Sequence, residues 1–181
     1  MKQDVTNCVV FPSDEVWHRS VAAIDLQGRG NPDCLASPLT AFFASRECPG
    51  TAIRMAMDWA LQQARLRQPL VGGFHSPLER SVLELLLEAG SPVVVVLARP
   101  AASARLNRSW RDAIRRGHLS VVSATEGLSQ LTGRQAATRN EVVARLAASI
   151  VIAHVRLGGC LARQKMQWQD DNKQIKVLGK H

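Results

Sequence analysis

From Leu39 onward the chain alternates between short aliphatic runs and longer segments in which apolar residues return every three or four positions. This alternation constrains the fold more than any other feature. Five runs read as strands, at 39–44, 69–74, 93–98, 119–123 and 149–155. Between them lie segments with helical periodicity. The first runs from Thr51 to Leu66, with Ile53, Met57, Ala60, Leu61 and Ala64 on one face. The second opens with Ser76-Pro77-Leu78-Glu79 and closes at Gly90. Ser76 suits the N-cap, Pro77 the first helical position and Glu79 the far corner of a capping box. Two more helices are expected at Ala104–Arg116 and Asn140–Ala148. Strand–helix–strand repeats close by right-handed crossovers into a parallel sheet covered on both faces. The expected architecture is therefore α/β: a doubly wound, Rossmann-like parallel sheet of about five strands, in the order 3-2-1-4-5.

The flanks carry weaker signals. Residues 1–30 are read as a mixed N-terminal segment, with short strands expected at Val5–Phe11 and Val21–Leu26 and a loop at Gly28–Pro32. Residues 31–160 form the expected core domain, and 161–181 read as a polar, loose C-terminal tail.

Aromatic residues make up only 4% of the chain and tyrosine is absent. The core must then be aliphatic, which suits a buried parallel sheet and suits poorly a module that stacks bases on aromatic rings. The formal net charge of +8 favours a polyanionic partner. Cys8, Cys34, Cys48 and Cys160 share no metal-ligand spacing with each other or with histidine, so no metal site is expected. Scattered thiols without a secretory signal point to the cytoplasm, and no apolar run is long enough to cross a bilayer.

Doubly wound sheets bind ligands beyond the carboxyl ends of their strands. The loops there are rich in groups that hold anions. Ser45 and Arg46 follow the first strand, Gly72 and Gly73 end the second, with His75, Ser76 and Glu79 after it, and Arg99 follows the third. Arg139 and Asn140 are read as the start of the helix before the fifth strand, and Gly158 and Gly159 as the turn after it. Glycine pairs let backbone approach a ligand, helix starts offer free amides, and arginine adds a forked cation.

These residues also carry a resemblance. Gly30-Asn31-Pro32, the strand Thr40–Ala44 and Ser45-Arg46 resemble the entry to the Rossmann-like core of the DprA/Smf family, whose first strand ends in Gly-Ser-Arg. The segment at 72–79 is similar to that family's Ser-Gly-Leu-Ala-x-Gly-Ile-Asp turn. Arg139-Asn140-Glu141 resembles its Arg-Asn-Arg signature, and Gly158-Gly159-Cys160-Leu161 its Ser-Gly-Ser-Leu turn. Ala44, Ser76, Pro77 and Glu141 depart from the pattern, where the family carries Gly, Arg, Gly and Arg. The likeness covers residues 25–164 and implies a shortened, stand-alone member that binds nucleotide or DNA.

Two function classes follow. The first is a protein without catalytic residues or cofactor, whose basic, glycine-rich cleft holds a nucleotide or single-stranded nucleic acid. The second is a small-nucleotide hydrolase or transferase using Glu79 or His75 as base, with Glu47 a further candidate. The Pro-Gly-Gly-x-Gly-Thr-x-x-Glu turn of the base-releasing enzymes of this fold is missing, which favours the binding protein. A homo-oligomer is compatible with the sequence but not specified by it.

Overall fold

In a computed structural model, which describes residues 11–125 and 133–179, eight strands form one sheet. The strands are β1 (Val16–Val21), β2 (Ile24–Gly30), β3 (Leu39–Phe43), β4 (Leu70–Gly72), β5 (Val93–Val96), β6 (Leu119–Ala124), β7 (Ala147–Ile152) and β8 (Gln174–Val177). The helices are α1 (Gly50–Leu66), α2 (Pro77–Glu88), α3 (Arg108–Arg115), α4 (Gly133–Leu146) and α5 (Cys160–Asp170).

The sheet order is β1-β2-β6-β5-β4-β3-β7-β8. Strands β6, β5, β4, β3, β7 and β8 run parallel, while β1 and β2 join antiparallel at one edge. All five expected strands are present, but the order among them is 4-3-2-1-5, not 3-2-1-4-5. After β5 the chain takes one more step in the same direction through α3, placing β6 beyond β5. Only then does α4 carry it back to β7, beside β3. The reversal of winding therefore lies between β3 and β7. Periodicity gives each element but not the point of reversal, because every crossover has the same handedness either way.

The sheet is also larger and mixed. The expected strand Val21–Leu26 straddles a hairpin turn at Ala22 and Ala23, both with positive φ, and Gly28–Gly30 lies within β2 rather than in a loop. Gly28 is required there because the Trp17 indole of β1 covers its α-carbon, leaving no room for a side chain. The C-terminal segment read as a loose tail forms α5 and β8, and β8 pairs with β7 over Ser149–Ile152. Its most deeply buried apolar anchor among the described residues is Trp168, 1% exposed, stacked on Phe43 with ring centroids 4.8 Å apart. The expected strand Val5–Phe11 lies almost wholly outside the described residues.

Two cores sandwich the sheet. One packs α1, α2 and α3 against Phe42, Leu70, Val93, Val95 and Val121, and the other packs α4 and α5 against Phe43, Val71, Val94, Val96 and Ile150. All four residues of β5 are fully buried, as a strand covered on both faces requires. Each valine contributes about 1.5–3 kcal/mol relative to exposure. Helix α1 buries Ala52, Ala56, Ala60 and Ala64, four small residues one turn apart that bring it close to the sheet. Ile53 and Leu61, expected on the inner face, are exposed instead.

Candidate functional site

The parallel strands all end on one rim, and a cleft of about 390 Å³ opens there between the ends of β3 and β4 and the overhanging α4. Arg46, His75, Ser76, Glu79, Arg139 and Asn140, spread over 95 positions of sequence, line it together with Phe43, Ala44, Ala98, Ala136 and Leu161. Six of the twelve expected site residues thus meet in one place.

The floor is set by Glu79. Ser76 caps α2 through its hydroxyl, and Glu79 completes the capping box. The same carboxylate does more. Its Oε2 accepts from the His75 and Ser76 amides at 2.8 and 3.1 Å, and its Oε1 accepts from the Ala44 amide at 2.9 Å. One buried side chain therefore joins the ends of β3 and β4. Three backbone donors occupy its oxygens.

Arg139 supplies the charge. The sequence suggests a helix start here; α4 instead begins at Gly133, so Arg139 and Asn140 sit mid-helix and no free helix-start amides accompany them. Asn140 is not a cap. Its Oδ1 accepts from Arg139 Nη2 at 2.9 Å, and its Nδ2 donates to Gln164 Oε1 of α5 at 2.9 Å. Gln164, 8% exposed, donates in turn to the Ala137 carbonyl at 3.1 Å. The guanidinium is half-buried, and burial pushes its pKa below the ordinary arginine range while the Glu79 charge acts the other way. Its Nε is buried with no acceptor, and neither Arg139 nor Arg46 joins an ion pair among the described residues.

The two glycines at the end of β4 make room for neighbouring side chains. A side chain on Gly72 would meet the Phe74 ring at 3.0 Å, and one on Gly73 would collide with the Arg139 guanidinium. Phe74 itself is buried with φ of 50°, an uncommon conformation that turns the chain toward His75. Partial burial of the His75 imidazole, then the charges of Arg139, Arg80 and Arg99, hold its pKa below the ordinary value. Arg99 is exposed on the loop after β5, outside the cleft lining but within electrostatic reach of His75.

The remaining expected residues hold the rim together. Ser45 Oγ accepts from the Arg156 amide at 2.9 Å, the Ser45 amide donates to the His154 carbonyl at 3.1 Å, and Arg156 pairs with Glu47 at 3.2 Å. This strap ties the end of β3 to the loop after β7. Gly158, with φ of 73°, makes the turn, and Gly159 is the N-cap of α5. Beyond the strap, between the start of α1, the ends of β7 and β8, and α5, lies a second cavity of about 540 Å³ with mainly apolar walls, including Ala52, Met55, Val155, Met166 and Leu178, and with Thr51, His154 and Lys165 as polar groups. Among the described residues no three His, Cys, Asp or Glu side chains gather as a metal site. No helix there is long and apolar enough to cross a membrane.

Sequence reasoning missed Gln164 and Trp168, which hold α4 in place, because they lie in the supposed tail. Trp168 Nε1 donates to Glu141 Oε2 at 2.9 Å, so Glu141, which departs from the basic signature, is a structural acceptor. The spacing Leu161, Gln164, Trp168 is one helix face and was the available signal.

Residues 12–178 match the sequence profile of DNA recombination-mediator protein A. The chain belongs to this family. Among solved structures, the fold of the DNA recombination-mediator protein A family is matched by DNA processing protein A from Helicobacter pylori. The TM-score is 0.71 at 16% identity, over 87% of this chain and 73% of that one. The Streptococcus pneumoniae protein matches with a TM-score of 0.68 at 17% identity, over 84% of this chain and 54% of that one. The molybdenum cofactor carrier protein of Chlamydomonas reinhardtii shares the fold more distantly, with a TM-score of 0.54 at 17% identity over 80% and 78% of the two chains. No curated protein matches the sequence.

Proposed function

We propose that the cleft binds the backbone phosphates of single-stranded nucleic acid and catalyses no reaction on them. The observation that carries this reading is Arg139: half-buried, without an ion pair, and lining one cleft with the unpaired Arg46. A desolvated guanidinium without a carboxylate partner is poised for a phosphate. The Helicobacter pylori relative binds single-stranded DNA, which supports the same ligand here. Scarce aromatics make recognition tolerant of sequence and driven by charge. Two of the three candidate bases favour binding over turnover: Glu79 is committed to three amides, and Glu47 to Arg156.

The test is binding of a fluorescent oligonucleotide across a salt series. Replacing Arg46 and Arg139 with alanine should weaken binding to all sequences alike. It should also flatten the log–log salt slope by about 0.7 for each phosphate that is no longer neutralised. Undiminished binding by the double variant would sink the reading.

The second cavity favours a different ligand. Its apolar walls, its size within the range of roughly 300–1,000 Å³ used by small-molecule sites, and Lys165 at its edge suit a mononucleotide. Purine-nucleotide binding that survives the double variant but is lost on Lys165→Glu would support this second site.

A further inference from the structure

Between Arg105 and Arg116 the chain carries five arginines, Arg105, Arg108, Arg111, Arg115 and Arg116, against a single acid, Asp112. That surplus of four positive charges is half of the net +8, held in twelve residues. All five arginines are exposed, and the Arg108 side chain is 93% accessible. Helix α3 turns Ala113 and Ile114 into the core, so its outer face is left to the cations. Arg108, Arg111 and Arg115 follow an i, i+3, i+7 spacing and form one stripe along the helix. Asp112 lies 3.8 Å from Arg108 and 3.3 Å from Arg115, and one carboxylate cannot neutralise both. Exposed pairs of this kind contribute little to stability, so folding gives no reason for the concentration of charge.

The stripe is joined to the cleft. Ala98 lines the cleft, Arg99 follows it, and the chain then crosses over β6 to reach Arg105 and α3. This crossing is fixed in place. The Ala101 amide donates to Ser123 Oγ at 3.0 Å, the Ala102 amide to Gln27 Oε1 at 3.1 Å, and the buried Arg29 donates to the Ala104 carbonyl at 2.9 Å. From β3 to β6 the rim spans three strand spacings, about 15 Å, and the eight residues of α3 add about 12 Å. Cationic side chains thus run from Arg46 and Arg139 past Arg99 to Arg105 and then down α3.

We propose that this stripe is a second phosphate-binding surface, and that a single strand seated in the cleft leaves it over Arg99 and lies along Arg105, Arg108, Arg111 and Arg115. The assignment rests on the cleft reading above. Arginine forks match phosphate oxygens, and Trp110, the aromatic ring between Arg108 and Arg111, is half-buried against the core, so the line of arginines holds backbone rather than bases.

The full chain is compared with the triple variant Arg108→Ala, Arg111→Ala, Arg115→Ala on oligothymidylates of about five and about fifteen nucleotides, bracketing common site sizes. The wild type should bind the longer strand more tightly. The triple variant should lose about tenfold on the longer strand with a salt slope flatter by about two units, and lose nothing on the shorter. The matching lysine variant, which keeps the charge, should restore the slope. Equal affinity of wild type and triple variant for the longer strand overturns the proposal. So does equal loss on both lengths, or a greater loss on duplex than on single strand. A wild type that binds the short strand but gains nothing from length sinks the α3 surface alone. A wild type that binds neither length sinks the cleft reading, and the α3 surface with it.

Discussion

Gly73, one residue beyond β4, and Arg139, mid-way along α4, pack so closely that a methyl group on the glycine would occupy the space of the guanidinium, 2.8 Å from Cζ and nearer still to Nε. Gly73 has no left-handed backbone, so alanine there is a steric change and not a conformational one. Gly73→Ala should push Arg139 out of its position while leaving the sheet intact. The expected result is a loss of oligonucleotide affinity of roughly tenfold, about 1.4 kcal/mol, close to that of Arg139→Ala. Combining the two changes should add little, because both act through the same guanidinium. Oligonucleotide titration of the two single variants and the pair checks this; full additivity would contradict it.

Glu79 joins two strand ends, so its replacement should be read in stability. Glu79→Gln keeps the shape but turns one acceptor into a donor facing backbone N–H groups. Stability should fall by about 1–3 kcal/mol, which for a chain of this length lowers the unfolding midpoint by roughly 2–4 °C per kcal/mol. Thermal unfolding by circular dichroism measures it. An unchanged midpoint would mean that the three hydrogen bonds contribute nothing net.

The sequence made the central strands legible because burial on both faces leaves runs such as Val93–Val96 no alternative, and it made the start of α2 legible because a capping box is local chemistry. The position of β6 was not legible, since a crossover has the same local pattern wherever its strand lands. The β1–β2 hairpin was hidden by its turn, which is made by Ala22 and Ala23 instead of glycine or asparagine. At the site, the strand-end rule gathered Arg46, His75 and Arg139, which line one cleft, from positions far apart. It does not separate glycines such as Gly72 and Gly73, which yield space to Phe74 and Arg139, from glycines that yield space to a ligand.

The anchoring of α4 by α5 separates two neighbouring residues. Gln164→Leu removes the hydrogen bonds to Asn140 and to the Ala137 carbonyl and leaves Asn140 short of a partner. It should cost about 1–2 kcal/mol of stability and weaken oligonucleotide binding severalfold, because Asn140 orients Arg139. Trp168→Phe keeps an aromatic ring against Phe43 but loses the bond to Glu141 and part of the buried indole volume. It should destabilise by a comparable amount with binding unchanged. Paired melting and titration experiments distinguish the two; equal binding losses would argue that α4 moves as a rigid unit.

His75 gives the cleft a dependence on pH. In the free protein, burial and the charges of Arg139, Arg80 and Arg99 hold its imidazole below the ordinary value, so it is neutral near pH 7. A phosphate among those arginines offsets their charge and raises the imidazole pKa. Between the free and bound values, binding then takes up a proton, and affinity increases as pH falls. The fold responds in the opposite sense. With the folded pKa depressed, His75's contribution to stability is present above the ordinary imidazole pKa and is lost as pH falls through that value toward the folded one. The two effects are separated by measuring binding only where the melting curve shows a fully folded chain. From about pH 8 to about pH 6, wild-type affinity should rise severalfold, and His75→Gln should abolish the rise without changing affinity at the alkaline end. A rise that persists in His75→Gln would assign the proton to another group and remove His75 from the phosphate's neighbourhood.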